Sequence, residues 1–123
     1  MIQRGTKLKV ADNTGAKLAQ CIGILGASKK KFAKIGDLIT VTIKEAEPRR
    51  EIKVHQVVKA VVVRQKAPFR RKDGSYLRFD ENACCLLADD RKTLKGSRIF
   101  GPIPRELKEK GFEKIVNLAK EIV

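Results

Sequence analysis

Apolar and polar residues alternate with a period of two through the first two-thirds of the chain, the spacing of strands that turn one face inward. Lys7-Leu8-Lys9-Val10 predicts a short strand, and Asp12-Asn13-Thr14-Gly15 behind it has the composition of a turn. Residues 18–25 predict a second strand, loosened by Gly23. In Ile39-Thr40-Val41-Thr42-Ile43-Lys44 the apolar residues share one face, as in a half-buried antiparallel strand. Residues 57–63 form a nearly continuous β-branched run, which predicts cover on both faces. Residues 76–79 and 84–87 complete the set. Short strands separated by turns predict a mainly β protein, a small closed barrel rather than βαβ units.

The last quarter changes period. Pro104 suits the first turn of a helix, residues 105–110 are good helix formers, and Gly111 can end it. Phe112, Ile115, Val116 and Ala119 then follow i, i+3, i+4, i+7, an apolar stripe for a second short helix. With 123 residues and no visible linker or repeat, the expectation is a single domain over 1–123. Within it, 1–100 would be a barrel with a ribbon near 64–79, and 101–123 a C-terminal helical segment.

Charge narrows the function. Lys plus Arg number 28 against 14 Asp plus Glu, a formal net charge of +14, while 42% hydrophobic residues are enough to fold. A compact domain this cationic repels itself least when a polyanion lies against it, and nucleic acid is the default polyanion. A membrane partner is disfavoured: the longest apolar run, 83–88, is far short of the roughly 18 residues a spanning helix needs. The start of the chain carries no apolar secretory core, so a cytosolic or organellar setting is expected.

The basic residues fall in four clusters. Lys29, Lys30, Lys31 and Lys34 lie between two predicted strands, after Gly26-Ala27-Ser28, and read as an exposed loop. Arg49 and Arg50 follow the 39–44 strand, near a turn. Arg64, Lys66, Arg70, Arg71, Lys72 and Arg78 flank the hairpin dipeptide Asp73-Gly74, which predicts a projecting ribbon with arginines on both arms. Arg91, Lys92, Lys95 and Arg98 surround Gly96. Arginine meets phosphate bidentately and stacks on bases, and Phe69 and Tyr76 within the ribbon could stack on an unpaired base. No helix-turn-helix, zinc-finger spacing or heptad zipper offers a vehicle for reading DNA sequence. Lysines and arginines scattered over loops and a ribbon suit phosphate contact with structured RNA.

Catalytic and metal chemistry find little support. His55 is the lone histidine, at the edge of the 57–63 strand. Asp12, Asp37, Asp73 and Asp80 sit at turns, where backbone capping accounts for them, and Glu45 and Glu47 lack a metal-ligand partner. Cys21, Cys84 and Cys85 are odd in number and have no Cys-x-x-Cys spacing, so they read as buried thiols. No enzyme, no cofactor and no metal site is expected.

Two segments carry a family resemblance. Ala60-Val61-Val62-Val63 is followed after nine residues by Asp73-Gly74, after four by Phe79, after two by Asn82 and after two by Cys85-Leu86. This pattern closely resembles the signature of the large-subunit ribosomal protein fourteen family. The segment 98–107, Arg-Ile-Phe-Gly-Pro-Ile-Pro-Arg-Glu-Leu, is similar to that family's C-terminal motif. The opening Met1-Ile2-Gln3, the run Val10-Ala11-Asp12-Asn13-Thr14-Gly15-Ala16, Gly36-Asp37 and Ile43-Lys44-Glu45-Ala46 match as well. Cys85 departs from the pattern, standing where the family has valine, a swap of similar bulk.

The resemblance implies a five-stranded barrel with a projecting β-ribbon and two short C-terminal α-helices. It also implies binding to large-subunit rRNA and a place at the subunit interface, with bridges to small-subunit rRNA. Large-subunit ribosomal proteins nineteen and three would be neighbours, and a ribosome-silencing factor would dock on the C-terminal surface. The expected rRNA contacts are Lys29, Lys30, Lys31, Arg49, Arg50, Arg64, Arg70, Arg71, Arg78 and Arg98. Arg49 and Arg50 are the intersubunit candidates, because a turn after a strand can reach outward. The competing readings are a free-standing OB-like barrel that binds single-stranded RNA transiently, and an RNA-processing enzyme.

Overall fold

A computed structural model describes residues 2–26, 31–88 and 93–123. Within them the strands are β1 (Lys7–Val10), β2 (Ala16–Ile24), β3 (Leu38–Ala46), β4 (Val57–Arg64), β5 (Phe69–Arg70), β6 (Tyr76–Leu77) and β7 (Ala83–Leu87). The helices are α1 (Glu106–Glu109) and α2 (Glu113–Leu118). Strands β1, β2, β3, β4 and β7 close into a five-stranded barrel, the architecture expected from the pattern and the resemblance. All neighbours are antiparallel except β1 and β7, which pair in parallel at Lys9↔Ala83 and Val10↔Cys84 and so close the sheet. Closure leaves no long unpaired edge, the usual liability of a small sheet.

The periodicity works out residue by residue. Ile39, Val41 and Ile43 of β3 are fully buried while Thr40 and Thr42 between them are half-buried. In β4, Ala60 to Val63 are buried on both faces, as their unbroken β-branched pattern requires. Gly23 stands at a bulge: Cys21 opposes Val41 and Gly23 opposes Thr40, so Ile22 has no partner of its own and is exposed. Cys84 and Cys85 point to opposite faces of β7, and both are fully buried. Burial pushes the thiols of Cys21, Cys84 and Cys85 up, so all three stay protonated and unreactive near neutral pH.

Both helices are far shorter than an isolated helix needs in water, so packing must hold them. Phe112, Ile115 and Val116 are buried and Ala119 is half-buried, so the stripe lies in one core with the barrel. Gly111 has a φ of 94°, the left-handed conformation that stops α1. A parallel bridge between Ile103 and Ile122 returns the tail, with Val123 N–H donating to the Ile103 carbonyl at 3.0 Å. No sequence signal pointed to that bridge. Among the described residues no helix is long and apolar enough to cross a membrane.

Strand pairing sorts the connections into two ends. Strand β3 finishes and β4 begins beside Thr42↔Val57, and β7 leaves the barrel at Leu87, opposite Lys59. Strand β1 runs parallel to β7, so its end at Val10 faces the same way. Connections 11–15, 47–56 and 93–98 therefore meet at one end. Strand β2 finishes at Ile24 opposite Ile39, and β4 finishes at Arg64 opposite Ala83. Connections 31–37 and 65–82 occupy the other end.

The ribbon is the hairpin that Asp73-Gly74 predicts: Phe69 pairs Leu77, Arg70 pairs Tyr76, and Arg71 N–H donates to the Ser75 carbonyl at 2.8 Å. One detail differs from a freely standing arm. Arg71 Nε lies 2.8 Å from Glu106 Oε1 and Lys72 Nζ 3.2 Å from Glu109 Oε2, so the ribbon tip is laid against α1.

Candidate nucleic-acid interface

The first end is organised by the β1–β2 turn. Asp12 is buried; its Oδ1 accepts from Thr14 N at 3.2 Å and Thr14 Oγ1 at 2.6 Å, and its Oδ2 from Leu86 N at 2.8 Å. Burial raises its pKa, partly countered by those hydrogen bonds to the ionised form. Next to it, Asn13 Oδ1 accepts from Ser97 N at 2.8 Å and Arg98 N at 3.1 Å, while Nδ2 donates to Ser97 Oγ at 3.0 Å. The fit needs glycine at 96, since a Cβ there would sit 2.7 Å from Asn13 Oδ1. Arg50 Nη2 donates to the Asn13 carbonyl, and its side chain packs where a Cβ at Gly15 (φ 101°) would otherwise stand.

These contacts draw residues from the second and fourth sequence clusters together. Arg49, Arg50 and Lys95 line a cleft of about 560 Å³ with Asn13, Thr14 and Ser97, and Arg98 is exposed beside it. A turn-forming Asn was legible in the sequence. Its second role, bracing a loop 84 residues away, was not.

The second end gathers the first and third clusters. The turn at 34–37 is closed by Lys34 N–H donating to Asp37 Oδ2 at 2.8 Å, and the stem of Lys110 lies over Gly36. Between this turn, the ribbon and α1 lies a cleft of about 830 Å³. Among the charged residues lining it, Glu106, Glu109 and Asp73 are matched by Arg71, Lys72 and Arg105, which leaves Lys34, Arg70 and Lys110 as the surplus. The Asp73 carboxyl is held below its usual range, chiefly by the Ser75 hydroxyl and amide, which fixes the ribbon turn.

The expected contact residues divide on inspection. Lys31, Arg49, Arg50, Arg70, Arg78 and Arg98 are exposed on the two ends. Arg64 is not: it is 6% exposed, its Nη1 donates to the carbonyls of Phe100 at 3.0 Å and Pro102 at 3.3 Å, and its Nη2 lies 3.3 Å from Glu81 Oε1. Its guanidinium ties the 98–104 segment to the barrel and has no free face for phosphate. Arg71 is largely committed too, with 12% of its side chain exposed and a second bond of 2.8 Å to the Val123 carbonyl. Lys29, Lys30, Arg91 and Lys92 lie outside the described residues. Lys95, Lys34 and Lys66, passed over as individual candidates, are exposed at the same ends.

His55 sits in an exposed turn with a φ of 71°, its N–H donating to the Ile43 carbonyl at 2.7 Å. Among the described residues no group of three or more His, Cys, Asp or Glu could hold a metal ion.

A closed five-stranded wall with lysine and arginine gathered in the connections at both ends defines a small basic β-barrel. The chain belongs to the family described as Ribosomal protein L14p/L23e, which matches residues 1–123, the full length given. It is accordingly a structural constituent of the large ribosomal subunit, and it works in translation as part of the ribosome.

Proposed function

We propose that the protein binds large-subunit rRNA through its two basic ends, neutralising phosphate where RNA segments crowd together. The observation that carries this reading is the convergence of basic residues from four separate stretches of sequence onto two ends of one barrel. Lys31, Arg49, Arg50, Arg70, Arg78 and Arg98 are the proposed contacts, joined by Lys34, Lys66 and Lys95, and by Lys29 and Lys30 on sequence grounds alone. Arg64 and Arg71 are assigned instead to holding the fold. Each exposed cation that replaces a counterion contributes to affinity and to its salt dependence.

The end bearing Arg49 and Arg50 is the proposed intersubunit face, touching small-subunit rRNA, because both residues are exposed in the turn that follows β3. Large-subunit ribosomal proteins three and nineteen are its proposed neighbours, and the C-terminal surface is the proposed dock for a ribosome-silencing factor. The protein acts in cytoplasmic or organellar ribosomes, as one domain, without catalysis.

Sedimentation of a lysate through a high-salt gradient tests the structural role. The protein should remain in the large-subunit fraction at salt that strips translation factors. Release along with those factors would favour the transient OB-like reading, which the five-stranded barrel keeps in play.

A further inference from the structure

The ribbon is a two-stranded sheet whose two faces differ sharply. Phe69 and Leu77, paired in register, turn toward the core and are half-buried. Arg70 and Tyr76, the next register pair, occupy the opposite face and are exposed. Tyr76 is 69% exposed, the highest value among the exposed large hydrophobic residues. Directly opposed residues on one face have Cβ atoms about 5 Å apart, so the two side chains leave the ribbon from neighbouring points. Arg78, one residue past Leu77, and Lys66 at the ribbon's base are also exposed. An aromatic face left in water next to a surplus arginine, flanked by cations, combines a π surface with charge for the adjoining phosphates.

Other exposed aromatic residues lack this arrangement. Phe32 lies in the 31–37 connection and Phe100 beside the segment that Arg64 holds; neither is paired in register with a cation. Phe69, which shared the stacking role in the sequence, is turned toward the core. The structure therefore selects one of the two candidates.

We infer that the outer face of the ribbon is a stacking platform for one unpaired RNA base, with Tyr76 beneath the base and Arg70 against its edge or its phosphate. This rests on the proposed RNA-binding role and adds to it a site that prefers an unpaired nucleotide over a duplex. Phosphate contacts alone are indifferent to whether a base is paired. A ring that needs a free π face is not.

The chain contains one tyrosine and no tryptophan, so tyrosine emission reports on Tyr76 alone. The test titrates the full chain with two short RNA hairpins that differ only in a single bulged adenosine, following emission and affinity together. The bulged hairpin should quench Tyr76 and bind more tightly than the paired one. Tyr76→Ala should weaken binding of the bulged hairpin roughly tenfold, to the level of the paired one, and leave the paired one unchanged. Tyr76→Phe should restore the preference, since the ring and not the hydroxyl does the stacking. At 69% exposure the ring contributes little packing, and circular dichroism confirms that each variant is folded. Equal binding and equal quenching by the two hairpins, or a preference that survives Tyr76→Ala, would overturn the platform while leaving RNA binding intact. Binding of neither hairpin would overturn the RNA-binding reading and the platform with it.

Discussion

Replacing Arg64 with alanine should destabilise the protein by about 2–4 kcal/mol, although arginine at the head of a basic ribbon looks like a surface residue. The side chain is 8% exposed, and its removal strands the Phe100 and Pro102 carbonyls at once and leaves Glu81 paired with Lys9 alone. Hydrogen bonds to a charged group are worth roughly 1.5–3 kcal/mol each, and Glu81, at 34% exposure, is partly screened, which sets the range. Gly101 between the two carbonyls adopts a φ of 81° and has no room for a Cβ beside the guanidinium, so the segment cannot collapse into the vacated space without reshaping. For a chain this size the melting temperature should fall by about 10 °C. Arg64→Lys should recover only part of the loss, because an ammonium cannot span both carbonyls and the carboxylate in one plane. Urea or thermal denaturation reads the effect directly. A change within about 0.5 kcal/mol, the usual cost of a surface substitution, would return Arg64 to the RNA-contact set.

The second large effect is on binding. Arg49→Ala, Lys95→Ala and Arg98→Ala combined should lower affinity for a large-subunit rRNA fragment a few hundredfold near 0.1 M salt, and reduce the slope of log affinity against log salt by about 2–3. All three side chains are exposed around one cleft, and none of their charged groups takes part in the ion pairs or hydrogen bonds found among the described residues. Arg50 is spared because its guanidinium braces the Asn13 turn, and its loss would mix folding with binding. Melting temperature should therefore change by no more than a degree or two. Weaker binding with an unchanged slope would mean that the triple variant disturbs shape rather than phosphate contact.

Much of the fold was legible because it obeys local rules. Alternation across 39–44 and the β-branched run at 57–63 fixed two barrel strands, and the 112, 115, 116, 119 stripe fixed the face that α2 buries. What was not legible depends on partners distant in sequence. Arg64 reads as surface until Glu81 and the carbonyls of Phe100 and Pro102 arrive around it. Arg71 reads as a ribbon cation until α1 presents Glu106. The merging of four basic clusters into two ends follows from the antiparallel pairing of β2 with β3, β3 with β4 and β4 with β7, which sends successive connections to opposite ends and which no local pattern encodes. Tyr76 and Phe69 were equivalent as letters, and only the ribbon register separates them.

The central claim, that the barrel meets large-subunit rRNA with its two ends, is tested most directly by zero-length crosslinking of the assembled subunit with the crosslinked peptides identified by mass spectrometry. Crosslinks should fall in the connections 31–37, 47–56 and 93–98 and on the outer ribbon at 66, 70, 76 and 78, with Arg64 and Arg71 silent. Crosslinks confined to the exposed strand residues of the barrel wall, such as Lys17 and Lys44, with both ends unmarked, would contradict it.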